Sequence, residues 1–393
     1  MSVILFALSL CTFALGLAEF VAVSLVPAIA HSLNINVSSA GLMIGIYAIG
    51  VSIGAPVLSA ALASMTRRHV LAGSMLIFAI SNLITAYVPS LSALLISRLT
   101  AGLMHGVLLA LAASSASASV APAYRGRAIS TVFAGLTLAL MIGVPLGTFA
   151  GNVFKWEYVF VAIAVIGLVG AVLTEVFTPA VKNDGAAPVS SASPVSGTLL
   201  NRTILHRVLI TALGYAGSFT GFTYISVLLE QETHLYGQGI SGMFFLFGLF
   251  AMIGNYFGGQ LVDKAGSRRA SLLVIVAIAV ALLGAYSGSA SPVIMAVVMS
   301  LWGLASFGAV PVFQRTVLAA AEVEGSPDLA SGMNIAGFNI GIAVGSALGG
   351  AASHASPVSP MAYGLIPLLL AVLFALLLKP VSKKSGIKEP ESC

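Results

Sequence analysis

The chain has 393 residues, of which 59% are hydrophobic and only 7% charged, against roughly 25% charged in an average soluble protein. So few charges cannot hydrate a soluble surface of this size, which excludes an ordinary cytosolic enzyme, a disordered chain and a nucleic-acid binder. The net charge of +5 reads as Lys and Arg gathered on one side of a membrane, not as a polyanion site. Two cysteines, Cys11 in an apolar run and Cys393 at the last position, make no disulfide framework.

The first apolar run, 3–28, ends on Ala28-Ile29-Ala30, which resembles a signal-peptidase site. No Lys or Arg precedes the run, it is too long for a signal core, and Glu19 interrupts it. It is expected to be the first membrane helix. Further runs of the length a spanning helix needs fall at 39–62, 70–88, 91–117, 128–151 and 158–178. A second set falls at 208–229, 239–262, 270–287, 292–314, 329–352 and 361–379, which makes twelve. Most joints are short and carry turn residues such as Val88-Pro89-Ser90, Ala121-Pro122, Ser291-Pro292 and Ser356-Pro357. The runs lack the alternation of a membrane β-barrel, so the predicted class is all-α.

One joint differs. Residues 179–201 are rich in Gly, Pro, Ser and Ala, as in a flexible linker. The expected organisation is a six-helix bundle over 1–180, a cytoplasmic linker over 181–204, a second six-helix bundle over 205–379 and a cytoplasmic tail over 380–393. With the N-terminus inside, Arg67, Arg68, Arg125, Arg127, Lys182, Arg202, Arg207, Lys264, Arg268, Arg269, Arg315, Lys379, Lys383, Lys384 and Lys388 fall on the inner face. Lys155 falls outside, and Arg98 alone falls within a span. This bias predicts that both termini are cytoplasmic.

The halves echo each other at an offset of about 200 residues, as internal repeats in transporters do. Gly54 aligns with Gly254 and Arg68-His69 with Arg268-Arg269. Further on, Ala134-Gly135 aligns with Ala336-Gly337, Gly143 with Gly345, and Leu146-Gly147 with Leu348-Gly349. Two parallel halves with a site at their interface are a transporter architecture.

The loop after the eighth span reads Gly259-Gln260-Leu261-Val262-Asp263-Lys264-Ala265-Gly266-Ser267-Arg268-Arg269. Gly259 is expected to permit close approach at a helix end and Gly266 a tight turn, with Asp263 near a helix N-terminus or paired to an Arg. This loop resembles the G-x-L-x-D-x-x-G-x-R-R motif of the major facilitator superfamily. The matching first-half positions are Ser59, Ala61, Ala63, Thr66, Arg68 and His69, where the acid is missing. The fourth span, with Arg98, Gly102, His105 and Gly106, resembles the family's R-x-x-x-G-x-x-x-G motif. The fifth, Gly143-Val144-Pro145-Leu146-Gly147 with Gly151 beyond, resembles the signature of its exporting members. Small residues there are expected to pack closely and Pro145 to bend the helix. Gly16-Leu17-Ala18-Glu19-Phe20 resembles the twelve-helix drug:proton antiporter branch. Met104-His105-Gly106, Gly254-Asn255-Tyr256 and Asn334-Ile335-Ala336-Gly337-Phe338-Asn339 resemble arabinose-efflux-permease members of it.

Glu19 is the one acid, Arg98 the one arginine and His105 the one histidine placed well inside a span. A charge in hydrocarbon costs roughly 2.5–3.5 kcal/mol on insertion scales, so each calls for a partner or a water-filled cavity. Glu19 and Arg98 lie at comparable depths, about 14 and about 10 Å below the outer ends of their spans. They meet if spans one and four are neighbours, as the resemblance implies. Glu19 is then the expected proton carrier, Arg98 tunes it, and His105 either relays protons or bonds substrate. Tyr47, Tyr215, Phe219, Phe222, Tyr224, Asn255, Gln314, Asn334 and Asn339 are the expected substrate-cavity residues.

The resemblance implies the major facilitator fold and a proton-coupled antiporter exporting a small amphiphilic drug, sugar or sugar-like solute by alternating access. A lone buried acid favours neutral or singly charged substrates over dications. The rivals are a proton-independent facilitator or uptake transporter, and a membrane receptor or enzyme. Neither metal-ligand clusters nor a phosphate-binding loop are found in the sequence, so no enzyme activity, metal or cofactor is expected. The expected partners are substrate, protons and the bilayer of a bacterial inner membrane, with no nucleic acid, and the chain is expected to act as a monomer.

Overall fold

The computed structural model describes residues 3–62, 64–88, 90–121, 125–178, 198, 200–324 and 327–378. The tail expected over 380–393, most of the linker expected over 181–204, and Ala63, Pro89 and Pro122 lie outside the described residues, as do the side chains of Arg125 and Arg127.

Apolar runs in lipid must satisfy their own backbone hydrogen bonds, so they form helices. These are α1 (Val3–Ser32), α2 (Val37–Leu58), α3 (Arg67–Ala86) and α4 (Leu91–Ala118). Helix α5 runs over Arg125–Leu138, a π turn Ala139–Gly143, and Val144–Val153. Helix α6 is Trp156–Phe177. Helix α7 is Arg202–Phe222, resumed after a break at Thr223 and Tyr224 as Ile225–Gln231. Next comes a continuous stretch, Gln238–Gly288, of 51 residues. At 1.5 Å per residue it measures about 77 Å, more than two hydrocarbon thicknesses of about 30 Å. It turns back at Gly266, where φ is 76° and ψ 161°, a conformation suited to glycine. The two limbs are α8 (238–265) and α9 (267–288). Helices α10 (Pro292–Glu324), α11 (Pro327–Ser353) and α12 (Ser359–Leu376) complete the fold. Eleven helices are long and apolar enough to span, and the folded-back one crosses twice, giving twelve spans among the described residues.

Side chains cap several starts. Asn36 Oδ1 accepts from the Ser39 amide at 2.6 Å, and Asn201 Oδ1 from the Thr203 and Ile204 amides at 2.8 and 3.0 Å. The Asn201 cap starts α7 at Arg202, inside the expected linker. This corrects the placing of Arg207 in an inner loop: it lies within α7, buried, with Nη1 donating to the Thr316 carbonyl at 2.8 Å.

The helices form two six-helix bundles with matching interiors. Gly135, Gly143 and Gly147 of α5 pack on Ser9, Phe13, Leu17 and Val21 of α1. Gly337, Gly345 and Gly349 of α11 pack on Val208, Ala216 and Thr220 of α7. The pairs that align in sequence thus serve equivalent helix crossings, where small residues let backbones approach. Pro145 removes an amide donor, and the π turn ends two residues before it on α5.

Helices α3, α6 and α12 carry rows of exposed apolar residues, including Leu76, Ile80 and Leu83, Leu168, Val172 and Val176, and Leu369 and Leu373. Such faces suit lipid. The most apolar stretch of α12 is 39% buried, against 78% for α7, so α7 is central and α12 peripheral. Arg67, Arg68, Arg202, Lys264, Arg268, Arg269 and Arg315 gather at one end of the molecule, the basic end, and Lys155 sits at the far end.

Candidate functional site

A cavity of about 370 Å³ lies between the bundles. From the amino-terminal bundle Glu19, Phe20, Val51, His105 and Leu140 line it, and from the carboxy-terminal bundle Tyr215, Asn255, Phe307, Gln314, Asn334 and Asn339. It extends from mid-helix toward the basic end, as Phe133 on α5 and Ile335 on α11 mark.

Gly102 brings α4 against α2 at the Tyr47 backbone. That crossing sets the Tyr47 ring between Arg98 and His105, which lie two turns apart on one face of α4. The Arg98 guanidinium carbon stands 4.1 Å from the Tyr47 ring centroid, a cation–π contact. Its Nη2 donates to the Ala18 carbonyl at 3.0 Å, while Nε and Nη1 have no hydrogen-bond partner among the described residues. Arg98 is fully buried. The Tyr47 hydroxyl and His105 Nδ1 are 2.8 Å apart. Arg98 therefore reaches the backbone beside Glu19, and no Glu19–Arg98 ion pair forms among the described residues. Glu19, half-buried in the cavity wall, interacts electrostatically with Arg98 and, across the cavity, with Tyr215.

The opposite wall is neutral. Tyr215 donates to the Ser306 carbonyl at 2.8 Å, and its ring centroid lies 3.9 Å from that of Phe338. Thr211 donates to Asn334 Oδ1 at 2.7 Å, Asn334 Nδ2 to Gln314 Oε1 at 2.7 Å, and Gln314 Nε2 to Ser331 Oγ at 2.8 Å. This amide chain joins α7, α10 and α11. Asn339 Nδ2 donates to the Ile335 carbonyl at 3.0 Å, and its Oδ1 is buried without a partner among the described residues.

At the far end the bundles are stitched together. Ser346 Oγ donates to the Gly41 carbonyl at 2.8 Å and Ser226 Oγ to the Val23 carbonyl at 2.7 Å. The Tyr224 hydroxyl lies 3.3 Å from the carbonyls of both Ser38 and Ser346, in a notch that a side chain at Gly41 would fill.

These positions correct part of the sequence expectation. Tyr215, Asn255, Gln314, Asn334 and Asn339 line the cavity; Tyr47, Phe219, Phe222 and Tyr224 do not. Tyr47 stands behind His105, Phe219 and Phe222 form an aromatic cluster with Phe247 and Trp302, and Tyr224 closes the far end. Phe20, Phe307, Phe313 and Thr211 line the cavity and were not expected there. Their one sequence signal was position: Phe20 follows Glu19 and Phe313 precedes Gln314. At the basic end Asp263 pairs with Arg315, while Arg268 and Arg269 are exposed. Gly259 has open space around it, and the close approach belongs to Gly258, against the Gly308 carbonyl. In the amino-terminal bundle Glu175 of α6 forms an ion pair with Arg68 at 3.4 Å and lies 3.1 Å from His69 Nδ1, standing in for the acid missing from the loop.

Two six-helix bundles facing each other across a central cavity are the architecture of a membrane transporter. Residues 8–327 match the model of the Major Facilitator Superfamily. The inner membrane transport protein YdhP of Escherichia coli (strain K12) is 34% identical over 394 residues, covering 99% of this chain and 97% of that protein. A probable sugar efflux transporter of Helicobacter acinonychis is 28% identical over 71% of this chain and 70% of its own. The crystal structure of a point mutant of the nucleoside transporter NupG superposes with a TM-score of 0.72 at 16% identity, covering 95% of this chain and 98% of that one. The chain belongs to the major facilitator superfamily: it is a multi-pass membrane transporter, not an enzyme.

Proposed function

We propose that the protein is a proton-coupled antiporter that exports a small neutral or singly charged solute, a sugar, sugar-like molecule or amphiphilic drug, by alternating access. The observation that carries the reading is Glu19, the one acid among the described residues that line the cavity, within electrostatic reach of a buried Arg98. A carboxyl that faces a cavity beside a buried guanidinium can take up and release a proton as the cavity changes the side it opens to. Rocking the bundles alternates its exposure, so it loads a proton on one side and releases it on the other. Arg98 holds the positive charge that offsets the cost of the emptied carboxylate in a low-dielectric wall.

The distribution of Lys and Arg supports reading the basic end as cytoplasmic, with both termini on the cytoplasmic side of a bacterial inner membrane. The stitched far end and the cavity's extension toward the basic end then make this an inward-facing arrangement. Asn255, Gln314, Asn334 and Asn339 supply hydrogen bonds to the solute, and Tyr215, Phe307 and Phe338 cover its apolar face. The name of the Helicobacter relative supports a sugar as one substrate class. The chain is read as acting alone, since both walls of the cavity come from one copy.

Proteoliposomes loaded with radiolabelled arabinose, or with an amphiphilic dye, test the reading. Efflux from vesicles more alkaline inside than outside, compared with no gradient, is expected to differ at least about tenfold, equivalent to about 1.4 kcal/mol of driving force. Equal rates in both conditions would make the protein a facilitator and remove Glu19 from the energetics.

A further inference from the structure

We infer that His105 is a substrate-binding residue that donates a hydrogen bond from Nε2, and that Tyr47 is the positioning residue that sets it. This rests on the proposed transport function and sharpens its substrate class. Two roles are open to a cavity histidine, proton relay and hydrogen-bonding partner, and the geometry separates them.

The Tyr47 hydroxyl needs an acceptor, and His105 Nδ1 at 2.8 Å is the one it has among the described residues. A phenol that donates to Nδ1 leaves the ring proton on Nε2. The Arg98 guanidinium lies on the face of the same tyrosine ring. Its positive charge strengthens the phenol as a donor and opposes a second positive charge on the imidazole. His105 is only 2% exposed, yet it lines the cavity. Its remaining nitrogen has no partner among the described residues, and so it presents an N–H to whatever occupies the site. The titratable and charged groups around this ring are Tyr47 and Arg98 behind it and Glu19 and Tyr215 along the cavity.

Across the cavity, Asn339 holds a buried carboxamide oxygen that has no hydrogen-bond partner among the described residues. A wall that offers an N–H on one bundle and an acceptor on the other fits a hydroxyl group, which accepts and donates at once. The ligand chemistry is therefore a hydroxylated, uncharged solute whose hydroxyls bridge the two bundles. Leaving either group unpaired when a non-hydroxylated analogue enters is costly, which is how such a site discriminates.

The test uses the full chain in proteoliposomes, with arabinose as probe in counterflow exchange without a pH gradient, and nitrogen NMR of histidine-labelled protein in nanodiscs. His105→Phe is expected to raise the KM for arabinose about tenfold with Vmax within about twofold, the cost of one hydrogen bond. His105→Gln, which keeps an N–H, is expected to recover at least about a third of that loss, and Tyr47→Phe to raise KM by about three- to tenfold. The stimulation of transport by a pH gradient is expected to be unchanged in all three. The His105 ring is expected to remain the neutral Nε2–H tautomer from about pH 5 to about pH 8, and to mix tautomers in Tyr47→Phe. An unchanged KM in His105→Phe overturns the inference, as does loss of gradient stimulation with KM intact, which would make His105 a relay. If the wild type does not exchange arabinose, the sugar reading falls. The spectra then decide His105 alone: a ring that titrates in this range overturns the assignment, and a fixed Nε2–H ring supports it.

Discussion

The two bundles share a backbone plan and present opposite chemistry to the cavity. The amino-terminal wall holds a carboxylate backed by a buried guanidinium, Glu19 and Arg98, with His105 beside them. The carboxy-terminal wall holds carboxamides and rings: Gln314, Asn334, Asn339, Tyr215 and Phe338. Its own buried arginine, Arg207, lies nearer the basic end and does not line the cavity. A duplicated scaffold therefore gives matching helix crossings, while single side chains divide the work. The ionisable pair sits on one side, and most of the groups proposed to read the solute sit on the other. Charge is costly in a membrane interior, so confining it to one wall leaves the other free to vary with substrate.

This contrast can be broken from either wall. Asn334 is the middle of the amide chain, and Asn334→Leu removes one hydrogen bond from Thr211 and one from Gln314. Two lost hydrogen bonds predict a fall in kcat/KM of about a hundredfold, with the response to a pH gradient retained. Counterflow and gradient-driven assays on one preparation check both parts.

The shared scaffold has its own asymmetry. An added methyl at Gly345 would strike the Ala216 carbonyl, whereas at the matching Gly143 it meets the side chains of Phe13 and Leu17 at 3.1–3.3 Å. Gly345→Ala is expected to cost about 1–3 kcal/mol, and Gly143→Ala less than about 1 kcal/mol because side-chain tips can shift. Thermal unfolding in one detergent compares them. Equal losses would mean that the two crossings are equally rigid.

At the far end, Tyr224→Phe removes the hydroxyl that bridges Ser38 and Ser346. One shared hydrogen bond predicts a shift of about 1 kcal/mol away from the far-closed arrangement. Spin labels at Ser32 and His354, exposed at the far end on opposite bundles, read the population change as a longer distance. The smallest effect is expected at the basic end. The Asp263–Arg315 pair is more than half exposed on both sides, so Arg315→Ala is expected to change stability by less than about 1 kcal/mol.

The sequence carried the spans and the polar residues inside them, because an acid or amide in an apolar run is conspicuous. Glu19, Asn255, Gln314, Asn334 and Asn339 were found that way. Which way an aromatic points was not legible: Tyr215 faces the cavity and Phe219, one turn on, enters the cluster around Trp302. On a helix that is apolar all round, periodicity does not mark the cavity face. The Tyr47–His105 contact joins residues 58 positions apart, and only the α2–α4 crossing reveals it. Arg207 was misplaced because the helix begins at its Asn201 cap, before the apolar run itself.

The central claim is that proton coupling resides in Glu19 and solute recognition elsewhere. Replacing Glu19 by Gln and measuring arabinose movement in two modes tests it most directly. Gradient-driven efflux is expected to fall by about a hundredfold, as when an essential proton carrier is removed, while energy-independent counterflow stays within about threefold of wild type. Gradient-driven efflux that survives in Glu19→Gln would contradict the account.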